Sequence, residues 1–243
     1  SSDLILNGDD DKLTAVRNVN GNRPEYFGMN KDCNVSAERI QEKGFAGSEF
    51  DVVIRDGGGK MRMHIDLPMS GKHMIYNALA ATQAGLDLGV PMLEIKKGLE
   101  SVIAVEGRNN IIKTRYFTLI DDCYNASPAS MKSSIDLLQN AEGRKVAILG
   151  DMFELGENSE KYHFKVGQYV GGTNTDLIIC VGNYSEKMFM GARLISDRQV
   201  EYFKSIDDAI TMIPGLLKEG DTVLLKASNG MNFKRILGTL AQL

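Results

Sequence analysis

Two aspartates and an asparagine three residues on, in Asp121-Asp122-Cys123-Tyr124-Asn125-Ala126-Ser127-Pro128, are well suited to holding a sugar beside an anion. A carboxylate at the end of a strand can accept both hydroxyls of a ribose, and a helix opening at Ser127-Pro128 favours anions at its N-terminus. The same residues also read as two N-capping aspartates and a turn-forming asparagine. Asn77 offers a different chemistry. It lies one turn after His73 in Gly71-Lys72-His73-Met74-Ile75-Tyr76-Asn77-Ala78-Leu79-Ala80-Ala81, where its amide supplies the donor and acceptor that match an adenine edge. The plainer reading is a surface asparagine on a helix packed through its alanines. Arg108, after Gly107, is either a clamp for a phosphate or a solvated arginine.

Two further segments follow expected strands: Gly150-Asp151-Met152-Phe153-Glu154-Leu155-Gly156 and Lys226-Ala227-Ser228-Asn229-Gly230-Met231. Both therefore fall on the rim of a sheet, where loops build sites. Gly57-Gly58-Gly59-Lys60 is not a phosphate loop, because Ile54 stands where the first glycine belongs and Met61 where a Ser or Thr belongs. It reads as a hairpin turn. No G-x-G-x-x-G follows an expected strand, which argues against a Rossmann oxidoreductase. The three histidines, His64, His73 and His163, have no metal-ligand spacing, so no metal site is expected within the chain.

These residues need elements to position them. Leu4–Asn7 reads as a buried strand end, Phe50–Arg55 and Met61–Leu67 as a hairpin, and helices are expected over about 73–88 and 92–102. Beyond residue 107 strands near 111–114, 117–120, 145–149, 177–181 and 222–225 alternate with helices near 128–140, 160–171, 184–193, 206–217 and 231–241. That alternation predicts βαβ units around a parallel sheet. Two domains are expected, 1–107 and 108–243, the first beginning in mid-sheet.

The 243 residues carry a net charge of −4, with 43% hydrophobic and 25% charged residues, so no basic field argues for nucleic acid. No apolar run approaches a membrane span, and three widely spaced cysteines suit a reducing cytoplasm.

Taken in order, the segments resemble those of the ATP-dependent Mur ligases of peptidoglycan synthesis. The family carries G-x-H-N-x-x-N-A-x-A-A, matched by Gly71 to Ala81 except that Met74 stands at the first asparagine. Its Gly-Arg is matched by Gly107-Arg108 and its D-D-x-Y-N-A by Asp121 to Ala126. G-D-M-x-E-L-G and a following histidine are matched by Gly150 to Gly156 and His163, and K-x-S-x-G by Lys226 to Gly230. Asn7-Gly8-Asp9-Asp10 also resembles a strand end in the family's central domain.

The resemblance implies an α/β fold in which the C-terminal part of a central ATPase domain precedes a Rossmann-like, mainly parallel sheet domain. It implies Asn77 at the adenine, Asp122 at the ribose, Arg108 at the terminal phosphate and Asn125 near the nucleotide. Asp151, Glu154, His163, Lys226 and Ser228 would line the second domain's side of the active-site cleft, with Arg108 and Lys226 as the catalytic pair. The D-D-x-Y-N-A form further implies UDP-N-acetylmuramoyl-tripeptide and D-Ala-D-Ala as substrates, joined through an acyl phosphate with ATP and Mg2+. The family's UDP-binding domain, phosphate loop and magnesium ligands precede the segment matched here. The expectation is therefore a half-enzyme, inactive alone, and the competing one a non-catalytic adenosine-nucleotide-binding module.

Overall fold

From Met63 onward the run Gly59–Leu67 buries alternate residues, Met63, Ile65 and Leu67, a period of two that only a strand can present to a core. In the computed structural model, which describes residues 4–103 and 106–243, this strand pairs antiparallel with Ser48–Asp56 across the two-residue turn Gly57-Gly58. The expected hairpin is present. It forms one side of a five-stranded sheet made of β1 (Ile5–Asn7), β2 (Glu25–Gly28), β3 (Val35–Glu42), β4 (Ser48–Asp56) and β5 (Gly59–Leu67), in that order. The strands β1, β2 and β3 run parallel, and β4 and β5 reverse. Helix α1 (Lys72–Asp87) buries Ile75, Ala78 and Leu79 against β1, β2 and β3, while α2 (Met92–Glu100) packs on β5 through Ile95 and Leu99.

The chain divides into two compact units, Ser1–Ile103 and Ala104–Leu243. The division falls four residues before the expected one. Gly107 is tied to the second unit, since its N–H donates to Asp121 Oδ2 at 3.0 Å and its carbonyl accepts from the Tyr124 N–H at 3.0 Å.

The second unit is a six-stranded sheet of β6 (Asn110–Lys113), β7 (Thr118–Asp122), β8 (Lys145–Gly150), β9 (Leu177–Val181), β10 (Gln199–Phe203) and β11 (Thr222–Lys226). Its order is β10-β9-β8-β11-β7-β6, and only β6 is antiparallel to its neighbour. The α/β class with a mainly parallel sheet is thus the observed one. Strand β10 was not expected from the sequence. It sits at the edge, where a single buried residue, Val200, suffices to hold it.

Helices α3 (Pro128–Gln139), α4 (Ser159–Gly171), α5 (Ser185–Ile195), α6 (Ile206–Met212) and α7 (Lys234–Ala241) connect and follow the strands. Ser127 caps α3 reciprocally with Ser130, and Pro128 occupies the first helical position. The α6 helix stops at Met212, short of the expected 217, because Pro214 cannot continue it and a 3-10 turn takes over at Ile213–Gly215.

Successive strand residues feed opposite faces. Leu119, Val146, Ile148, Ile179, Val223 and Leu225 share a core with Ala209 of α6 and Ile236 and Leu240 of α7. The alternate residues Ile120, Ala147, Leu149, Ile178, Cys180 and Leu224 are buried on the other face, against which α3 and α5 pack. On that side α4 and α5 approach closely, since a Cβ on Gly167 would lie 1.9 Å from the Met188 carbonyl oxygen.

Candidate functional site

Parallel pairing puts the carboxyl ends of β7, β8, β9 and β11 on one rim. Lys226, the last residue of β11, stands opposite Asp122 of β7 on one side and Leu149 of β8 on the other. The β11 strand returns between β8 and β7 after the chain has run outward to β10, so the strand order reverses here. Loops diverge at such a reversal, and ligands of open α/β sheets bind outside it.

Strand alternation separates the two adjacent aspartates. Asp121 is fully buried, and its oxygens accept the N–H groups of Gly107 at 3.0 Å and Cys123 at 3.3 Å. Asp122 points to the opposite face and keeps 8% of its surface. Its Oδ2 accepts from Lys226 Nζ at 2.5 Å and from the Ser134 hydroxyl at 2.5 Å, and its Oδ1 from the Asn109 N–H at 3.3 Å. Lys226 is 2% exposed, and its ammonium also donates to the Asn125 carbonyl at 3.1 Å. A buried ammonium needs such partners, because desolvating either ion alone costs several kcal/mol, on the order of 3–5. Lys226 thus fixes both the carboxylate and the start of the Asn125 turn. The Asn125 side chain is exposed at the rim, its Oδ1 accepting the Ala126 N–H at 2.8 Å. Arg108 is exposed as well, with its guanidinium 4.4 Å from the centre of the Tyr124 ring.

The neighbouring loop after β8 is anchored from behind. Asp151 is buried, and its Oδ1 accepts both the N–H and the hydroxyl of Ser185, at 2.7 Å each, at the first turn of α5. Gly182, at φ +124°, leaves room for that carboxylate; a Cβ there would come within 2.5 Å of it. The Met152 N–H donates to His163 Nε2 at 2.8 Å, and the Phe153 N–H to Ser228 Oγ at 2.9 Å. The Ser228 N–H donates back to the Asp151 carbonyl at 3.0 Å, tying the 151–156 loop to the one after β11. Burial pushes the His163 imidazole pKa below its ordinary value, with the Ser159 carbonyl and Asp151 opposing weakly. Glu154 is exposed, with its backbone in the left-handed region at φ +63°.

The structure therefore brings Asp122, Lys226 and the Asn125 backbone into direct contact, and links Asp151, His163 and Ser228 through one loop. Arg108, Asn125 and Glu154 face solvent. Asn77 lies in the first unit, exposed on α1, with its amide donating to the Met74 sulfur at 3.6 Å. Sequence reading missed Ser134, Tyr124 and Ser185. Ser134 was findable: Ser127, Ser130 and Ser134 are spaced three and four apart, one helix face pointing back at the strand end. Ser185 left no such trace.

A family model described as Mur ligase, glutamate ligase domain, matches residues 107–229. The chain is 30% identical over 239 residues to the UDP-N-acetylmuramoyl-tripeptide–D-alanyl-D-alanine ligase of Haemophilus influenzae, covering 97% of this chain and 50% of that protein. It is 29% identical to the ligase of the same name from Escherichia coli, over 98% of this chain and 52% of that one. The crystal structure of MurF from Acinetobacter baumannii superposes with a TM-score of 0.86 at 27% identity, over 98% of this chain and 51% of the other. The chain spans about half the length of the curated relatives it matches.

Proposed function

The chain belongs to the Mur ligase family, and from that premise we propose that it serves the ATP-dependent joining of D-Ala-D-Ala to UDP-N-acetylmuramoyl-tripeptide. The observation that carries the proposal is the buried Asp122–Lys226 pair at the strand reversal, with Arg108 exposed on the same unit. Of the two aspartates, Asp122 is the one with surface left, and its Oδ1 receives, among the described residues, a single long hydrogen bond from the Asn109 N–H. That leaves it lone pairs for a ribose hydroxyl, which fits the adenosine end of ATP.

When bound, ATP supplies the phosphoryl group that activates the tripeptide carboxylate for attack by the dipeptide amine. The chain's own residues bind and orient. Lys226 acts through Asp122 and the Asn125 carbonyl, so we assign it a positioning role rather than contact with the reacting atoms. Arg108, free to leave the Tyr124 ring at small cost, is the cation for the transferring phosphate, where positioning and charge neutralisation dominate. Asn77 is the proposed adenine contact, with Asn125 beside the nucleotide. Among the residues after β8 and β11 we assign Glu154, exposed in its loop, to the second substrate, while Asp151, His163 and Ser228 hold that loop. Among the described residues no group of three or more His, Cys, Asp or Glu side chains is placed to hold a metal ion. Among the described residues no helix is long and apolar enough to cross a membrane, and the three cysteines are free, which suits work in the cytoplasm.

The test is Asp122→Asn in the protein that carries this chain, assayed where circular dichroism shows it folded. Losing a charged acceptor for a hydroxyl should raise the apparent ATP KM about tenfold, with kcat changed less. An unchanged ATP KM in a folded variant would remove Asp122 from the nucleotide site and favour the reading of the two aspartates as structural groups that cap the turn.

A further inference from the structure

His163 is fully buried, and the nearest partner of each ring nitrogen has a fixed hydrogen-bonding character; the Ser159 hydroxyl, 3.4 Å from Nδ1, is farther off and can take either role. The Met152 N–H can only donate, so Nε2, 2.8 Å away, must present a lone pair. The Ser159 carbonyl can only accept, so Nδ1, 2.7 Å from it, must carry the proton. The tautomer follows from the partners: neutral imidazole, protonated at Nδ1. A second proton has nowhere to go but Nε2, where an N–H would then face an N–H.

The partner at stake is the middle of three anchors. Asp151 is held by Ser185 on one side of Met152, and Phe153 by Ser228 on the other. Met152 itself is buried, whereas Phe153 and Glu154, next along, are exposed on the rim. We infer that His163 is a positioning latch: its neutral, Nδ1-protonated ring pins Met152 and so sets the placement of Phe153 and Glu154, and protonation at Nε2 releases that loop.

The surroundings do not favour the imidazolium. Asp151 is the carboxylate that acts on His163, and its Oδ1 is already engaged by both Ser185 donors. From the residue just before α5, the Tyr184 ring stacks on the imidazole at 5.5 Å between centroids. Glu160 of α4 lies 3.4 Å from Lys187 of α5, and Glu186 acts on Tyr202. Burial holds the folded-state pKa below the ordinary 6.5. The sign follows: the unfolded chain binds the proton more readily, so the contribution of neutral His163 to stability is complete above about pH 6.5 and is lost as pH falls toward the folded-state value.

The existence of the latch is independent of the ligase proposal; only its consequence for Glu154 and the second substrate rests on that reading. The experiment is accordingly made on the 243-residue chain without substrates. Imidazole 15N spectra, assigned with His64→Gln and His73→Gln, should show His163 as the Nδ1–H tautomer at pH 7.5. The Met152 amide should be protected from hydrogen exchange there. As His163 titrates on acidification, its protection, corrected for the intrinsic pH dependence, should fall about tenfold. His163→Gln, whose side-chain oxygen can accept the same N–H, should keep Met152 protected at every pH. His163→Phe, which keeps a ring beside Tyr184 but no acceptor, should lose the protection at every pH. A charged His163 or an Nε2–H tautomer at pH 7.5 would overturn the latch. So would Met152 exchange that ignores both the titration and the Phe variant. Should His163→Phe unfold the unit, the wild-type titration and the Gln variant still decide. If the latch is found but Glu154→Gln leaves ligation unaltered, the substrate assignment falls and the latch stands.

Discussion

Lys226→Met is expected to destabilise the second unit by about 3–5 kcal/mol, enough to lower its thermal midpoint by many degrees. The methionine fills nearly the same volume, so packing is not what is lost. What remains is the Asp122 carboxylate, 8% exposed, with, among the described residues, the Ser134 hydroxyl and one long N–H contact but no cation. The burial of both partners is what allows the full figure; an exposed pair would contribute about 1 kcal/mol at most. Asp122→Asn strands the ammonium in the same way, although the Asn125 carbonyl still holds it. Removing both charges together, as Asp122→Asn with Lys226→Met, should recover much of the loss, because a buried pair replaced as a unit is often near neutral. Chemical denaturation of the four proteins measures the coupling. A single Lys226→Met variant within about 1 kcal/mol of the parent would mean that the pair does not hold the rim.

Arg108→Ala is expected to do the opposite: little to stability, much to rate. The guanidinium is exposed on the Tyr124 ring, an arrangement worth about 0.5–1 kcal/mol at the surface. In the proposed ligation its charge matters most while the phosphoryl group transfers, so kcat should fall about 100- to 1000-fold with a much smaller rise in the ATP KM. Arg108→Lys keeps the charge but loses the planar fork, and should fall between. Steady-state kinetics separate the two parameters, and a melting curve checks that the fold is intact. An alanine variant with unchanged kcat would remove Arg108 from the chemistry.

The periodicity of the sequence was enough to place the hairpin at β4 and β5, the parallel core strands and, among the described residues, the seven α-helices, because apolar residues recur at strand or helix spacing in them. The strands β2, β3 and β10 were not legible. In β3, Val35, Ser36 and Ala37 are buried, but the following Glu38 and Arg39 break the apolar run. Glu38 pairs with Asp51 of β4, and its carboxylate is held by Lys60 and Arg62, which approach it at 3.0 and 2.7 Å from β5. No local pattern announces such a cross-strand network.

The candidate residues were legible as types, and their direction was not. Asp151 and Ser228 lie in the loops after β8 and β11 and His163 on α4, and all three are buried and hold the 151–156 loop. Whether a rim side chain faces substrate or scaffold depends on partners such as Ser185, which lies 34 residues from Asp151. Lys226 and Asp122 meet across 104 residues, so the neutralisation of one by the other becomes visible only once β11 is seen to return beside β7.

The most direct measurement is a coupled assay on the protein that carries this chain, with ATP, magnesium, UDP-N-acetylmuramoyl-tripeptide and D-Ala-D-Ala. Phosphate release and dipeptide incorporation are followed together. One phosphate released for each dipeptide joined, with both lost in Arg108→Ala, is the result expected of a ligase that uses this rim. Nucleotide binding with neither phosphate release nor incorporation would contradict it, and would mark the rim as an adenosine-binding surface without chemistry.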